Sequence, residues 1–375
     1  ARSESSMKRR TFLKLSSLSS ILSFLPFGSS SCGKGYELRK LKNSPLPEER
    51  SVNFGFEDVS NPHYDWKAMS QRLSDVNATA ASICVGRIEW VCFDWEGHPD
   101  TQASINGADW VQDAIDALKP LTINLTIDTL VPNTIHKNPE LAGVDPGGER
   151  SDKFASVTAI RDGAVGDGIV ELAKTISHRY NPDSISLTEL MFDNYTFGED
   201  DLASYKKFSG ESDWPRKDGE INTRDPKLGE WRSEALQHLL DRIKGVMPSN
   251  VALDMDVRAP WNDPGADRAM SGHDYDLLLT EASRIAVWNY NGMEPSVQPD
   301  YSEKLAESFN RRFGDNRYVL STGLWAEDEA DTISADDMAL NLRYSAKGGA
   351  SAVSVTPASR MSDEHWKMLE SAWKG

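Results

Sequence analysis

Two hydrophobic rhythms alternate along most of this chain. Short runs rich in β-branched and aromatic residues lie at 51–57, 79–90, 121–130, 184–193, 251–258, 284–290, 317–325 and 350–356. Between and after them, apolar residues recur at three- and four-residue spacing, with helical stretches near 66–76, 108–118, 163–180, 230–246, 275–282, 302–312, 335–347 and 363–373. The first rhythm is that of strands and the second that of amphipathic helices. Pro, Gly and Asn signals bound the runs, so the eight strand–helix pairs are separated cleanly. Strict alternation of this kind predicts one (β/α)8 barrel over 51–375, with no second domain.

The fourth run draws attention to itself. After the turn Asn181-Pro182-Asp183 it places Ile185, Leu187, Glu189, Met191 and Asp193 on one face and Leu190 and Phe192 on the other. Such a doubly apolar strand fits a parallel sheet covered on both sides. Two carboxylates on it are costly unless paired or employed. In a barrel, the C-terminal strand ends carry the chemistry, and the ends here are polar and aromatic. They supply Glu57 and Asp58, Arg87 and Glu89, Asp128 with His136 and Asn138 beyond it, then Glu189, Asp193, Asn194 and Tyr195. The later strands add Asp254, Asp256, Arg258 and Trp261, then Trp288 and Tyr290, Trp325 and Glu327, and Thr356. Carboxylates ringed by Trp and Tyr suit a sugar, whose rings stack on aromatic faces and whose hydroxyls bond acids and amides. Barrel mouths are often polar without being sugar sites, so it is the constellation and not any single residue that carries weight.

Phe192-Asp193-Asn194-Tyr195 resembles the (F/H)-D-(D/N)-Y element at the fourth strand of bacterial family-10-like glycosyl hydrolases and of the hydrolase domain of exported poly-N-acetylglucosamine hydrolases. The segment from Asn138-Pro139-Glu140-Leu141 to Gly148-Glu149-Arg150-Ser151 is similar to their loop after strand three, and Ala286-Val287-Trp288-Asn289-Tyr290 to their sixth strand. Asn194 stands where some relatives have a second Asp. The resemblance implies a glycoside hydrolase with Asp193 as general acid, since the motif surrounds it. Glycosidases need two carboxyls roughly 5–5.5 Å or about 6.5–9.5 Å apart. Glu189 and Asp193, four residues apart on one strand, would lie roughly 13 Å apart, so the partner is sought on the next strand, where Asp256 is best placed. Glu189 is then expected deeper in the barrel. A rival assignment makes Glu189 the acid/base and Glu327 the nucleophile. Asp128, Arg87, Asn194, Tyr195, Arg258, Trp261, Trp288, Tyr290 and Trp325 are the expected substrate-binding residues.

Charge and the amino terminus change the picture in two respects. A formal net charge of −17 argues against nucleic acid and against a grip on anionic lipid. Residues 1–6 form an upstream extension; from Met7, a basic start, an apolar Ser-rich run to Phe27 and small residues before Cys32 predict a secretory signal. Arg9-Arg10-Thr11-Phe12-Leu13-Lys14 is similar to a twin-arginine motif, and Cys32 to a lipoprotein acceptor. The expected protein is therefore bacterial, exported and tethered to the cell envelope by a lipid on Cys32, with 33–50 as a linker. Cys84 and Cys92 are expected as buried thiols, and neither zinc spacing nor a phosphate loop is present, so no metal or cofactor is implied. The expected partner is a polysaccharide or oligosaccharide, an amino-sugar polymer among the candidates. The alternative class is a surface barrel that binds carbohydrate without cutting it.

Overall fold

A computed structural model describes residues 31–96 and 101–374. Eight parallel strands close into a barrel: β1 Glu49–Phe54, β2 Ala80–Arg87, β3 Thr122–Asp128, β4 Ser184–Thr188, β5 Ala252–Arg258, β6 Arg284–Asn289, β7 Tyr318–Gly323 and β8 Ala352–Thr356. Each pairs with its sequence neighbours, and β1 closes the ring onto both β2 and β8. The principal outer helices are α1 Trp66–Asp75, α2 Trp110–Leu118, α3 Ala164–Tyr180, α4 Pro226–Lys244, α5 Tyr275–Leu278, α6 Tyr301–Phe313, α7 Ala335–Lys347 and α8 Asp363–Lys374. Most begin at a side chain that satisfies an otherwise orphaned N–H: Asp65, Asp109, Asp225, Asp274 and Ser334 each accept one. The (β/α)8 architecture expected from the two rhythms is the observed one.

The main apolar core lies between sheet and helices. Ile185 and Leu187 of β4, Leu253, Met255 and Val257 of β5, and Ile285 and Val287 of β6 point outward and are buried beneath the helices. The inward face is polar instead. Ser82, Asn124, Thr126 and Ser186 form a hydrogen-bonded belt, with Ser82 Oγ donating to Asn124 Oδ1 at 2.8 Å and Asn124 Nδ2 reaching Ser184 Oγ at 2.7 Å. At the floor, the Arg284 guanidinium bonds Glu49 at 2.8 Å and Asp254 at 2.9 Å. Barrel interiors are ordinarily filled by branched aliphatic side chains; this one is not.

Two expectations are corrected here. The fourth strand does not run to Asp193 with both faces apolar. It ends at Thr188, its inner face is Ser184, Ser186 and Thr188, and the alternation breaks at Glu189. Residues 33–50 are not a free linker. A helix at Ser31–Lys40 lies against α7, with Leu41 packed on Leu340 and Tyr344, Lys34 paired with Asp337 at 2.8 Å, and the Tyr344 hydroxyl donating to Glu37. The barrel itself opens at Glu49, two residues before the expected start. The predicted leader falls outside the described residues, as does the side chain of Cys32. Cys84 and Cys92 are buried thiols, brought near each other by the turn that pairs Gly86 with Val91.

Candidate active site

The barrel mouth is a funnel. Its outer part is a cavity of about 260 Å³ walled by Trp261, Trp288, Tyr290 and Trp325 with Phe56 and Met293. Below it a second cavity of about 140 Å³ enters the barrel, lined by Asn53, Ser82, Asn124, Ser186, Asp254 and Asp256 among others. Phe56, Asp128, Glu189, Tyr290 and Trp325 line both, so aromatic rim and polar pit are continuous. The rim rings support one another: Trp288 stacks on Tyr290 with centroids 5.8 Å apart, and Tyr290 meets Trp325 at 5.2 Å. Inward positions at the ends of β6 and β7 place them there. Trp261, on the loop after β5, leans on Tyr301.

Two carboxyls stand where rim meets pit. Asp256 points inward from β5 and receives hydrogen bonds from the Trp288 indole at 3.2 Å and from the Thr188 side chain. Burial pushes its pKa up to about 7; the two hydrogen bonds pull it back in part, and the Asp254 carboxylate below adds to the rise. Glu189 reaches the same space by a different device. Its φ of 61° puts a non-glycine residue in the left-handed region, where a Cβ is strained. That turn swings its side chain back into the mouth, so Glu189 sits higher than Asp256 and not deeper, as the sequence had suggested. Asp254 pairs with Ser186 across β5 and β4, which sets Asp256 beside Thr188 and Glu189 one residue above. Asp256 and Glu189 thus come from neighbouring strand ends and line the same cavity, and a carboxyl pair facing one cavity is what glycoside hydrolysis requires.

Asp128 and Arg87 form a buried pair at 3.0 Å on the wall of the rim, and the second Asp128 oxygen accepts the Leu130 N–H at 2.9 Å. With both oxygens engaged, Asp128 is a fixed acceptor and a holder of Arg87. Removing one partner of such a buried pair typically costs about 3–5 kcal/mol.

Asp193 lies outside the funnel. It lines neither cavity, and its carboxylate is held by Arg258 Nη1 at 2.6 Å and by the Ser271 hydroxyl at 2.8 Å. Desolvation alone would raise its pKa, but Arg258, Ser271, Arg268 and Arg232 outweigh it and hold the carboxyl below the usual range. A carboxyl held below the usual range and outside both cavities is poorly suited to give a proton near neutrality, so its setting does not favour the general-acid role expected for Asp193. Its work is to fix Arg258, which does line the rim. Asp193→Asn is therefore expected to keep kcat within about tenfold of wild type and to act through KM, measured by steady-state kinetics on a cleaved glycan.

Asn194 and Tyr195 also leave the mouth. Tyr195 stacks on Phe154 and packs over the hairpin 142–155, where a Cβ added to Gly143 would lie 2.2 Å from the Tyr195 carbonyl. Glu327 is exposed and lines neither cavity, so the rival pair of Glu189 with Glu327 is not brought together. Glu329, two residues on, lines the rim instead, as do Glu294 and the hairpin residues Asp152 and Lys153. These were missed because the long loops after β3, β6 and β7 deliver them, and no strand-end spacing encodes that. The polar inner face was readable in principle: Ser51 and Asn53, Asn124 and Thr126, Ser184 and Ser186 recur at period two.

His273 ties the ends of β4 and β5 together. Fully buried, it donates from Nε2 to the Leu190 carbonyl at 2.8 Å and accepts the Arg258 N–H at Nδ1 at 3.0 Å, which requires the neutral ring. Burial lowers its pKa to about 4; the Leu190 bond and the Asp193 charge oppose this, and Arg258 and Arg268 reinforce it. Unfolded histidine titrates near 6.5, so the unfolded chain takes up the proton first as pH falls. The contribution to stability is complete above about 6.5 and drains away toward pH 4. Thermal unfolding between pH 7 and 4 should show this loss, and His273→Gln should flatten it.

Among the described residues no group of His, Cys, Asp and Glu is arranged to hold a metal ion. No family of known proteins matches the chain by sequence, and neither does any curated protein. Solved structures do match in shape. The glycoside hydrolase domain of PgaB (BpsB) from Bordetella bronchiseptica superposes with a TM-score of 0.63 at 16% identity, over 83% of this chain and 94% of that one. A β-galactosidase from the psychrophilic Marinomonas ef1 gives 0.61 at 12% identity, over 87% of this chain and 59% of that one. The catalytic domain of β-amylase from Paenibacillus polymyxa gives 0.59 at 14%, over 86% and 95%. At these identities the likeness is one of fold, and the resemblance to the PgaB-type domain holds at that level.

Proposed function

We propose that this protein is a glycoside hydrolase acting on a polysaccharide, with Asp256 as general acid and Glu189 as the partner carboxylate. The observation that carries this reading is the presence of two carboxyls, one of them half-buried on the inner face of the barrel, at the junction of an aromatic rim and a polar pit. Asp256, with a pKa near 7, keeps a proton available at neutral pH; that is the property a general acid needs. Asp256 gives its proton to the bridging oxygen as the glycosidic C–O bond breaks. Glu189 faces the developing positive charge at the sugar carbon, either bonding to it or taking a proton from the attacking water. Trp288 has two tasks: its ring belongs to the platform, and its N–H fixes the Asp256 oxygen. Trp261, Tyr290 and Trp325 complete a surface on which successive sugar rings stack.

Barrels of the same fold include three whose names are those of glycosidases, and this adds to the reading without deciding substrate. The amino-terminal pattern of Arg9-Arg10, an apolar run and Cys32 supports export and a lipid anchor on the envelope, with membrane contact through that lipid alone. The reading is tested by screening polysaccharides, partially deacetylated poly-N-acetylglucosamine included, with products identified by mass spectrometry. Mass labelling of the purified protein at Cys32 tests the anchor separately.

A further inference from the structure

The pit beneath Asp256 is a dead end. Arg284, held between Glu49 and Asp254, crosses its floor, and its wall is the hydrogen-bonded belt of Ser82, Asn124, Thr126 and Ser186. An eight-stranded barrel has an interior that is either filled by side chains or holds one small ligand. Here the inward residues are short and polar, and about 140 Å³ stays open. Asp254 is 3% exposed, and its Oδ1 has no hydrogen-bond partner among the described residues. A buried carboxylate oxygen in that position is costly, and a hydroxyl-bearing ligand in the pit would satisfy it.

A polymer cannot thread an eight-stranded barrel crossed by the Arg284 ion pairs, so only a chain end can enter. We infer that the protein works from the non-reducing end, seating the terminal sugar ring in the pit and releasing one monosaccharide per turnover. This rests on the glycosidase reading. The ring's hydroxyls face Asn53, Asn124, Ser186 and Asp254, while its anomeric carbon lies at the level of Asp256 and Glu189. The next rings lie on the aromatic rim. In each turnover the bond from the terminal anomeric carbon to the bridging oxygen breaks. Asp256 protonates that oxygen, which leaves as a hydroxyl of the shortened chain. Water supplies the oxygen newly bonded to the anomeric carbon, and its released proton returns the carboxyls to their starting state.

The experiment uses oligomers of partially deacetylated poly-N-acetylglucosamine with free or chemically capped non-reducing ends. It also measures calorimetric binding of glucosamine and N-acetylglucosamine as monosaccharides. Free-ended oligomers should release monosaccharide from the first turnovers, and capped ones should be cut on the order of a hundredfold more slowly. Ser186→Leu and, as a milder filling of the same space, Ser321→Val should both abolish monosaccharide binding while oligomer binding to the rim, followed by Trp fluorescence, persists. Equal cutting of capped and free oligomers into internal fragments overturns the inference and leaves the glycosidase reading standing. If wild type cuts neither, poly-N-acetylglucosamine is not the glycan it cuts, the glycosidase reading is left to the wider polysaccharide panel, and the pit is judged by calorimetry alone. Monosaccharide binding lost in Ser186→Leu upholds the pit as the seat of a sugar end, and no monosaccharide binding by wild type overturns it.

Discussion

Asp256→Asn is expected to lower kcat/KM for glycan hydrolysis by roughly 10²–10⁴-fold, the usual value of a positioned proton donor. The amide keeps the shape of the carboxyl and its oxygen can still accept the Trp288 N–H, so glycan binding should change little. The loss should appear in kcat. Because the group works when protonated, wild-type activity should fall as pH rises through about 7, and the variant's residual activity should lack that limb. Stability should move the other way. A carboxyl whose folded pKa is raised contributes fully below its unfolded value near 3.9 and loses that contribution as pH climbs toward 7. An uncharged amide escapes the penalty, so the variant should melt at a higher temperature than wild type above neutrality. Lower activity with higher stability is the signature of a residue kept for chemistry at a cost to the fold.

Glu189→Gln should be as damaging, again by about 10²-fold or more, because in the proposed mechanism this carboxylate faces the developing charge at the sugar carbon. Glu189→Gly separates the side chain from its backbone. Glycine accepts a φ of 61° without strain, so this variant should gain stability, up to the roughly 1–3 kcal/mol stored in such a residue, while remaining inactive. Chemical denaturation of the two variants beside wild type checks both halves. Equal activity in Glu189→Gln and wild type would remove Glu189 from the mechanism.

How much of this was legible in the sequence depends on what kind of physics fixed it. The barrel was, because strand and helix rhythms are local: α7 at 335–347 and α8 from 363 sit where the periodicity puts them. The inward set Asp254, Asp256, Arg258 was legible for the same reason, since β5 is regular to its end. The rim residues Trp261, Trp288, Tyr290 and Trp325 follow from strand ends. What failed was β4. Its apolar run through Leu190, Met191 and Phe192 has the composition of a strand, but those residues are buried in a loop held by Ser271 and His273. The partners of the residues after Thr188 come from the loop after β5, with His273 83 residues from Leu190. Nothing near Glu189 announces its left-handed turn. The same long-range packing gave Asp193 to Arg258, a pairing that the motif surrounding Asp193 does not announce. The docked amino-terminal helix was missed because its contacts, Lys34 to Asp337 and Glu37 to Tyr344, join opposite ends of the chain.

The central claim is that the funnel cuts glycans and does not merely hold them. Incubating the protein with the polysaccharide panel in isotope-labelled water, and weighing the products, tests this most directly. The account predicts sugars released from the glycan, each carrying one labelled oxygen at its new reducing end, with the signal lost in Asp256→Asn. A glycan that binds tightly to the wild-type protein yet keeps its length and carries no label would contradict it.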